Sequence, residues 1–230
     1  MNEIISSSAF FGVFISLFAY YIGTLLKKKF RLTIFNPLLV AIVLIIVFLK
    51  VFHIDYASYH ASAKYLSYLL TPATVCLAIP LNQQLHLLRG NIKAILLGIL
   101  SGVLTSLMCV FLMALLFGLD HAQYVTLLPK SVTTAIGMPV AQQLGGYPAI
   151  ASAIIIITGV LGNMFAEGFL RLLGVKEPVA RGIAIGTSTH AIGTARAVEM
   201  GETEGAMSSL SIVVAGLMTV ICASVFAQFI

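Results

Sequence analysis

Most of the groups able to bind or transfer charge in this chain fall into two stretches that read alike. Residues 187–202 run T-S-T-H-A-I-G-T-A-R-A-V-E-M-G-E, and residues 131–146 run S-V-T-T-A-I-G-M-P-V-A-Q-Q-L-G-G. Thr134-Ala135-Ile136-Gly137 aligns with His190-Ala191-Ile192-Gly193, and the same register carries Ala141 onto Ala197 and Gly145 onto Gly201. Gly137-Met138-Pro139 reads as a helix break, with Pro139 suited to open the next helix. Gly193 reads as the second break, with Thr194 as a natural N-cap. A helix opened at its amino end presents unpaired N–H groups and partial positive charge, so two such ends facing one pocket would favour an anion. Ser131, Thr133, Thr134, Thr187, Ser188, Thr189 and Thr194 would surround it with hydroxyls. Arg196 could hold a carboxylate in a two-pronged bond, and His190 could donate a hydrogen bond or titrate. These residues, with Gly137 and Gly193, make up the expected solute site. Glu167, Asn163 and Glu199 are the candidates for coupling an ion, because an ionisable or strongly polar group at membrane depth is by default a functional hypothesis; Glu167 and Glu199 are equally candidate partners for Arg196.

Each group also has a plainer reading. Serine and threonine commonly pack membrane helices. Arg196 and Glu199 could form a pair within one helix at i, i+3, and Glu167 is close enough in sequence to pair with Arg171. Coupling could run on protons through His190 or a glutamate, or on Na⁺ at carbonyls freed by the breaks. His53, His60, His86 and His121 fall in loops or at span ends and read as solvated. Cys76, Cys109 and Cys222 lie in apolar stretches without metal-ligand spacing. No metal site, cofactor or nucleophile–base–acid set is expected, and hence no enzyme.

The elements that must position these groups are membrane helices. The composition is 60% hydrophobic and 9% charged, with a mean hydropathy of +1.05, where soluble domains carry about 25% charged residues. The net charge of +5 is spread over short loops, which leaves no basic face for nucleic acid. Spans are expected at 4–26, 33–52, 61–81, 91–119, 147–173 and 205–230. The first lacks a basic leader and a small-residue cleavage site, so it reads as a span rather than a signal peptide. Asn36-Pro37 should open the second, and Pro72 and Pro80 should kink the third. The K-K-K-F-R loop at 27–31 belongs in the cytoplasm, which puts the N-terminus outside.

Charge also decides the later topology. If residues 129–146 crossed the membrane, the linker carrying Arg171, Lys176 and Arg181 would lie outside, against the positive-inside bias. If they dip in and return, that linker lies inside and the C-terminus outside; a proline-broken crossing helix is the alternative. The second copy of the repeat is then inverted relative to the first, as in many secondary transporters. Irregular backbone at such depth must be buried or line a wet cavity. The expected fold is therefore an all-α integral membrane protein with about six transmembrane helices plus two inverted re-entrant or broken-helix segments. Residues 1–126 would be a four-helix scaffold half, and 127–230 a transport half with its repeat at 127–173 and 183–230.

In the stretches P-K-S-V-T-T-A-I-G-M-P-V-A at 129–141 and T-S-T-H-A-I-G-T-A-R-A at 187–197, the sequence resembles the LrgB/CidB family of antiholin-like bacterial inner-membrane proteins. The resemblance covers nearly the whole chain and is strongest from Leu127 onward. It lacks the extra N-terminal LrgA-like region of the plastid relatives. Two functions come with it. One is secondary transport of small monocarboxylates such as glycolate, glycerate or pyruvate. The other is holin/antiholin-like regulation of murein hydrolase activity and autolysis, beside a small LrgA/CidA-type membrane partner. The paired anion-favouring segments point to transport, with the carboxylate near the bilayer midplane. A homodimer in the bacterial inner membrane is expected on general grounds.

Overall fold

The computed structural model describes residues 10–30, 35–69 and 85–230, together with Pro72, Val75, Cys76, Ile79 and Asn82. The serines at 6–8, Arg31 and much of the expected third span fall outside the described residues. Every regular element among the described residues is helical. Among the described residues, four helices are long and apolar enough to cross a membrane: Phe11–Phe30, Ile92–Phe117, Pro148–Leu172 and Glu202–Phe229. Pro37–Val51 is apolar but shorter. The chain divides by contacts into two units, Met1–Cys76 and Leu77–Ile230. The helix from Leu85 to Phe117, grouped by sequence with the first half, packs with the second unit.

In the first unit, α1 (Phe11–Phe30) packs on α2 (Pro37–Val51), where Gly23 lets the Pro37 backbone approach. Asn36 caps α2 as its sequence suggests, its side chain accepting from Leu38 N at 2.9 Å and Leu39 N at 3.3 Å, with Pro37 in the first turn. The polar stretch between the second and third expected spans, where His53 and His60 read as loop residues, contains α3 (Tyr56–Ala63). The Asp55 side chain starts this helix by accepting from Ala57 N at 3.0 Å. Ser62 Oγ accepts from Gly12 N at 2.7 Å and ties α3 to α1.

The second unit contains α4 (Leu85–Phe117), α5 (His121–Leu127), α6 (Thr134–Gln143), α7 (Pro148–Leu172), α8 (Pro178–Met200) and α9 (Glu202–Phe226). Asp120 and Gln123 form a capping box that opens α5. α5 and α6 make a hairpin that enters and leaves at one end. A His121 ring nitrogen, at the start of α5, lies 3.2 Å from the Leu144 carbonyl just past α6. The turn between them reaches the middle of α4, where Ser131 Oγ lies 3.2 Å from Ser106 Oγ. This is a re-entrant segment.

α8 is two helices run together across a kink at His190, whose φ of 44° and ψ of −145° are non-helical. Residues 178–189 form α8a and residues 191–200 form α8b. Along α8a, Gly182 lies against Glu204 and Met207, and Gly186 against Ser208 and Ser211, so α8a runs parallel to α9. Along α8b, Thr194 bonds Ser208 at 2.7 Å and Val198 lies beside Gly205, so α8b runs back, antiparallel to α9. The kink rests on the middle of α7: His190 Nε2 donates to Ile155 O at 3.0 Å, and Asn163 Nδ2 donates to Ile192 O at 2.8 Å.

The first hairpin therefore enters from the end where α7 starts, and the second from the end where α7 finishes. Each is followed by one crossing helix, and the second copy is inverted. Arg171, Lys176 and Arg181 sit at the second entry, called here the basic end. Single cysteines at Gln123 and Tyr147, in a background without Cys76, Cys109 and Cys222, should react with an impermeant maleimide from one membrane face. Cysteines at Lys176 and Glu202 should react from the other. Reactivity at Gln123 and Tyr147 from opposite faces would end the re-entrant reading.

Both breaks fall about one turn before the glycines expected to make them. Helix α6 already begins at Thr134, and Pro139 lies inside it. Gly137 provides space: a Cβ there would meet Ile155 Cδ1 and approach the Pro129 carbonyl to 3.3 Å. A Cβ at Gly193 would likewise meet Thr189. Thr194, expected as an N-cap, is inside α8b and donates to His190 O at 2.9 Å.

Candidate functional site

A cavity of about 840 Å³ lies between α4, the tip of the first hairpin and α8a. Glu177 stands at its rim at the basic end, and its walls include Ile95, Gly98, Gly102, Ile183 and Ala184. Small residues make the room, since Gly98 and Gly102 face Ile183 and Thr187 across the α4–α8a contact. At mid-depth it ends on Ser106, Cys109, Lys130, Ser131, Thr187 and Ser188. The tips of both inverted hairpins contribute to this floor.

Lys130 dominates the floor. Its Nζ donates to Ser106 Oγ at 3.1 Å and to Ser131 Oγ at 3.0 Å. Among the described residues no carboxylate forms an ion pair with it. A cation at such depth, held by neutral hydroxyls, is electrostatically incomplete. Thr187 is 6% exposed, and its Oγ1 is buried with no hydrogen-bond partner. Such a group costs free energy until something bonds it. Ser188 donates to Ala184 O at 2.6 Å and is itself one of the lining residues.

Of the residues expected at the solute site, Ser131, Thr187 and Ser188 line this cavity. The rest are placed elsewhere. Thr133 is the N-cap of α6, without a side-chain cap bond, and Thr134 is its first helical residue. Gly137 is buried against α7. Thr189 donates to Ile185 O at 2.7 Å and is packed against Gly162. Thr194 is sealed between His190 O and Ser208. His190 is 3% exposed and occupied with Ile155. The opened amino ends at Thr134 and Ala191 are not among the lining residues.

Arg196 sits apart, in an ion cluster that joins α8b to α7. It bonds Glu167 and Glu199, and Glu167 also takes Arg171 at 3.0 Å. Both plain readings offered by the sequence, the i, i+3 pair and the Glu167–Arg171 pair, are thus present together. Arg181 adds a second tie near the basic end, 3.4 Å from Glu204 at the start of α9. Asn163 holds the second tip through Ile192 O.

Lys130 is not among the site residues expected from the sequence. Its signal was available: it is the only lysine or arginine between Lys93 and Arg171, and it directly precedes the first hydroxyl-rich segment.

The LrgB-like family model matches residues 16–229. The chain belongs to the LrgB-like family. It is 42% identical over 222 residues to the antiholin-like protein LrgB of Bacillus cereus strain B4264, covering 96% of each chain. It is equally similar to the protein of the same name from Bacillus cereus strain AH187. No solved structure matches it. Membership in this family and the long apolar helices together make it an all-α membrane protein.

Proposed function

We propose that this LrgB-family chain is a secondary transporter of small monocarboxylates, of the glycolate, glycerate or pyruvate class, in the bacterial inner membrane. The observation that carries the reading is the cavity, which enters from the basic end and stops at mid-depth on Lys130, between two inverted hairpin tips. That form suits a carrier caught open to one side, because inverted repeats meeting at a midplane site allow the opposite opening by symmetry. With the basic end in the cytoplasm by the positive-inside bias, this state faces inward and the C-terminus lies outside. The hairpins would rock around the bound anion. The first unit would serve as scaffold and dimer contact, and Glu167 or His190 would couple a proton.

A second reading has its own support. The relatives' printed name, antiholin-like, favours a regulator of murein hydrolase activity and lysis, working with a small membrane partner. The names lean to this reading, whereas the carrier reading rests on geometry and sequence pattern. Uptake of radiolabelled glycolate, glycerate and pyruvate into proteoliposomes separates them. The carrier reading expects saturable uptake above protein-free vesicles for at least one of these acids. Absence of uptake for all three, with release of unrelated trapped solutes, would leave the regulator or pore reading standing.

A further inference from the structure

We infer that Lys130 is the charge that receives the solute's carboxylate, with the Thr187 hydroxyl as the second anchor. The inference rests on the carrier reading for its biological sense, but the binding itself can be tested separately. Three independent features converge. Lys130 sits at the floor of the cavity near the middle of α4, with neutral Ser106 and Ser131 as its bonded partners. Thr187 lines the same space, and its hydroxyl, buried just behind that wall, has no hydrogen-bond partner. Arg196, the other cation suggested for this role, is already neutralised by Glu167 and Glu199.

Charge counting then restricts the ligand. One ammonium with neutral neighbours balances one negative charge. A second carboxylate would be forced against Ile95, Ile183 and the glycine-lined wall, or toward Glu177 at the rim. An α-ammonium would lie near Lys130 with no carboxylate to receive it. The geometry thus selects short monoanions over dicarboxylates and zwitterions. On binding, the ammonium would exchange part of its bonding with Ser106 and Ser131 for the carboxylate.

Cys109 lines the same floor and is a built-in reporter. In full-length protein with Cys76 and Cys222 replaced by serine, alkylation of Cys109 by N-ethylmaleimide would be timed with and without pyruvate, and with the neutral amide of pyruvate. Pyruvate should slow the reaction and the amide should not. Lys130→Met should weaken protection by about tenfold or more in pyruvate concentration, the scale of one charge-assisted bond, and Lys130→Arg should retain it. Equal protection by acid and amide, no protection at all, or unchanged protection in Lys130→Met would each overturn the assignment. The acid–amide comparison needs no substitution at Lys130, so it decides the matter even if the methionine variant does not fold. Uptake that persists in Lys130→Met would sink this inference and leave the carrier reading intact. Protection dependent on Lys130 without uptake would do the reverse.

Discussion

Gly186→Ala is expected to unseat the second hairpin and prevent recovery of a monodisperse protein in detergent. A Cβ at this position would meet the Ser208 carbonyl and lie 2.8 Å from both Ser208 Cα and Ser211 Cβ. The obstacle is the backbone of α9, which no rotamer change can move. Overpacking a close-fitted interface costs about 1–3 kcal/mol when side chains can yield, and here they cannot. Nor is the contact peripheral, because α8 and α9 share the most extensive interface in the second unit. Gly168→Ala is the matched control, since no atom lies within 4 Å of a Cβ there. It should be neutral or slightly stabilising, as alanine is the better helix former. The chain has no tryptophan, so thermal survival of the monodisperse peak on size exclusion is the suitable readout. Equal survival of the two variants would mean that α8a does not lie against α9 as described.

The inverted arrangement was legible because it has two local signatures: a repeated residue pattern and a charge bias in the linker holding Arg171, Lys176 and Arg181. Neither depends on long-range packing. The position of the breaks was not legible, for a physical reason. Gly137 and Gly193 were read for their backbone freedom, but they are used for closeness, under Ile155 and Thr189. The kink sits on His190, an unfavourable residue for it, because a tertiary bond to Ile155 O holds it there. No local pattern announces a partner 35 positions away. Arg196 had two readings, an anion-binding charge and a partner of Glu167 or Glu199, and the packing of α8b on α7 gives it both carboxylates. Lys130 was visible as an isolated cation, but its meaning depends on Ser106 and Thr187, which only the packed hairpins bring to one cavity. The long spans of the second unit followed from hydropathy alone. The six-span total rests on α2, which is short for a crossing, and on a third span largely outside the described residues.

His190 allows that account of the kink to be tested, because its two contributions have opposite signs. With φ at 44° and ψ at −145°, it occupies backbone space that suits glycine, at a cost of about 1–3 kcal/mol. Its imidazole offsets this by donating to Ile155 O in a buried setting, where a net hydrogen bond is worth about 1 kcal/mol and an unmade one costs more. His190→Ala removes the bond and keeps the strain. His190→Gly removes the bond but relieves the strain. Both variants should be less stable than the parent if the bond outweighs the strain it secures, and alanine should be the worse by about 1–3 kcal/mol. The neighbours sharpen the contrast: Gly159 leaves room for the ring, and Asn163 holds Ile192 O on the other side of the kink. A smaller residue therefore leaves a void without freeing the tip to straighten. Thermal unfolding of the three proteins in one detergent gives the order directly. An alanine variant as stable as the glycine variant would show that residue 190 is not strained, and that the second segment is a bent rod with no sharp reversal.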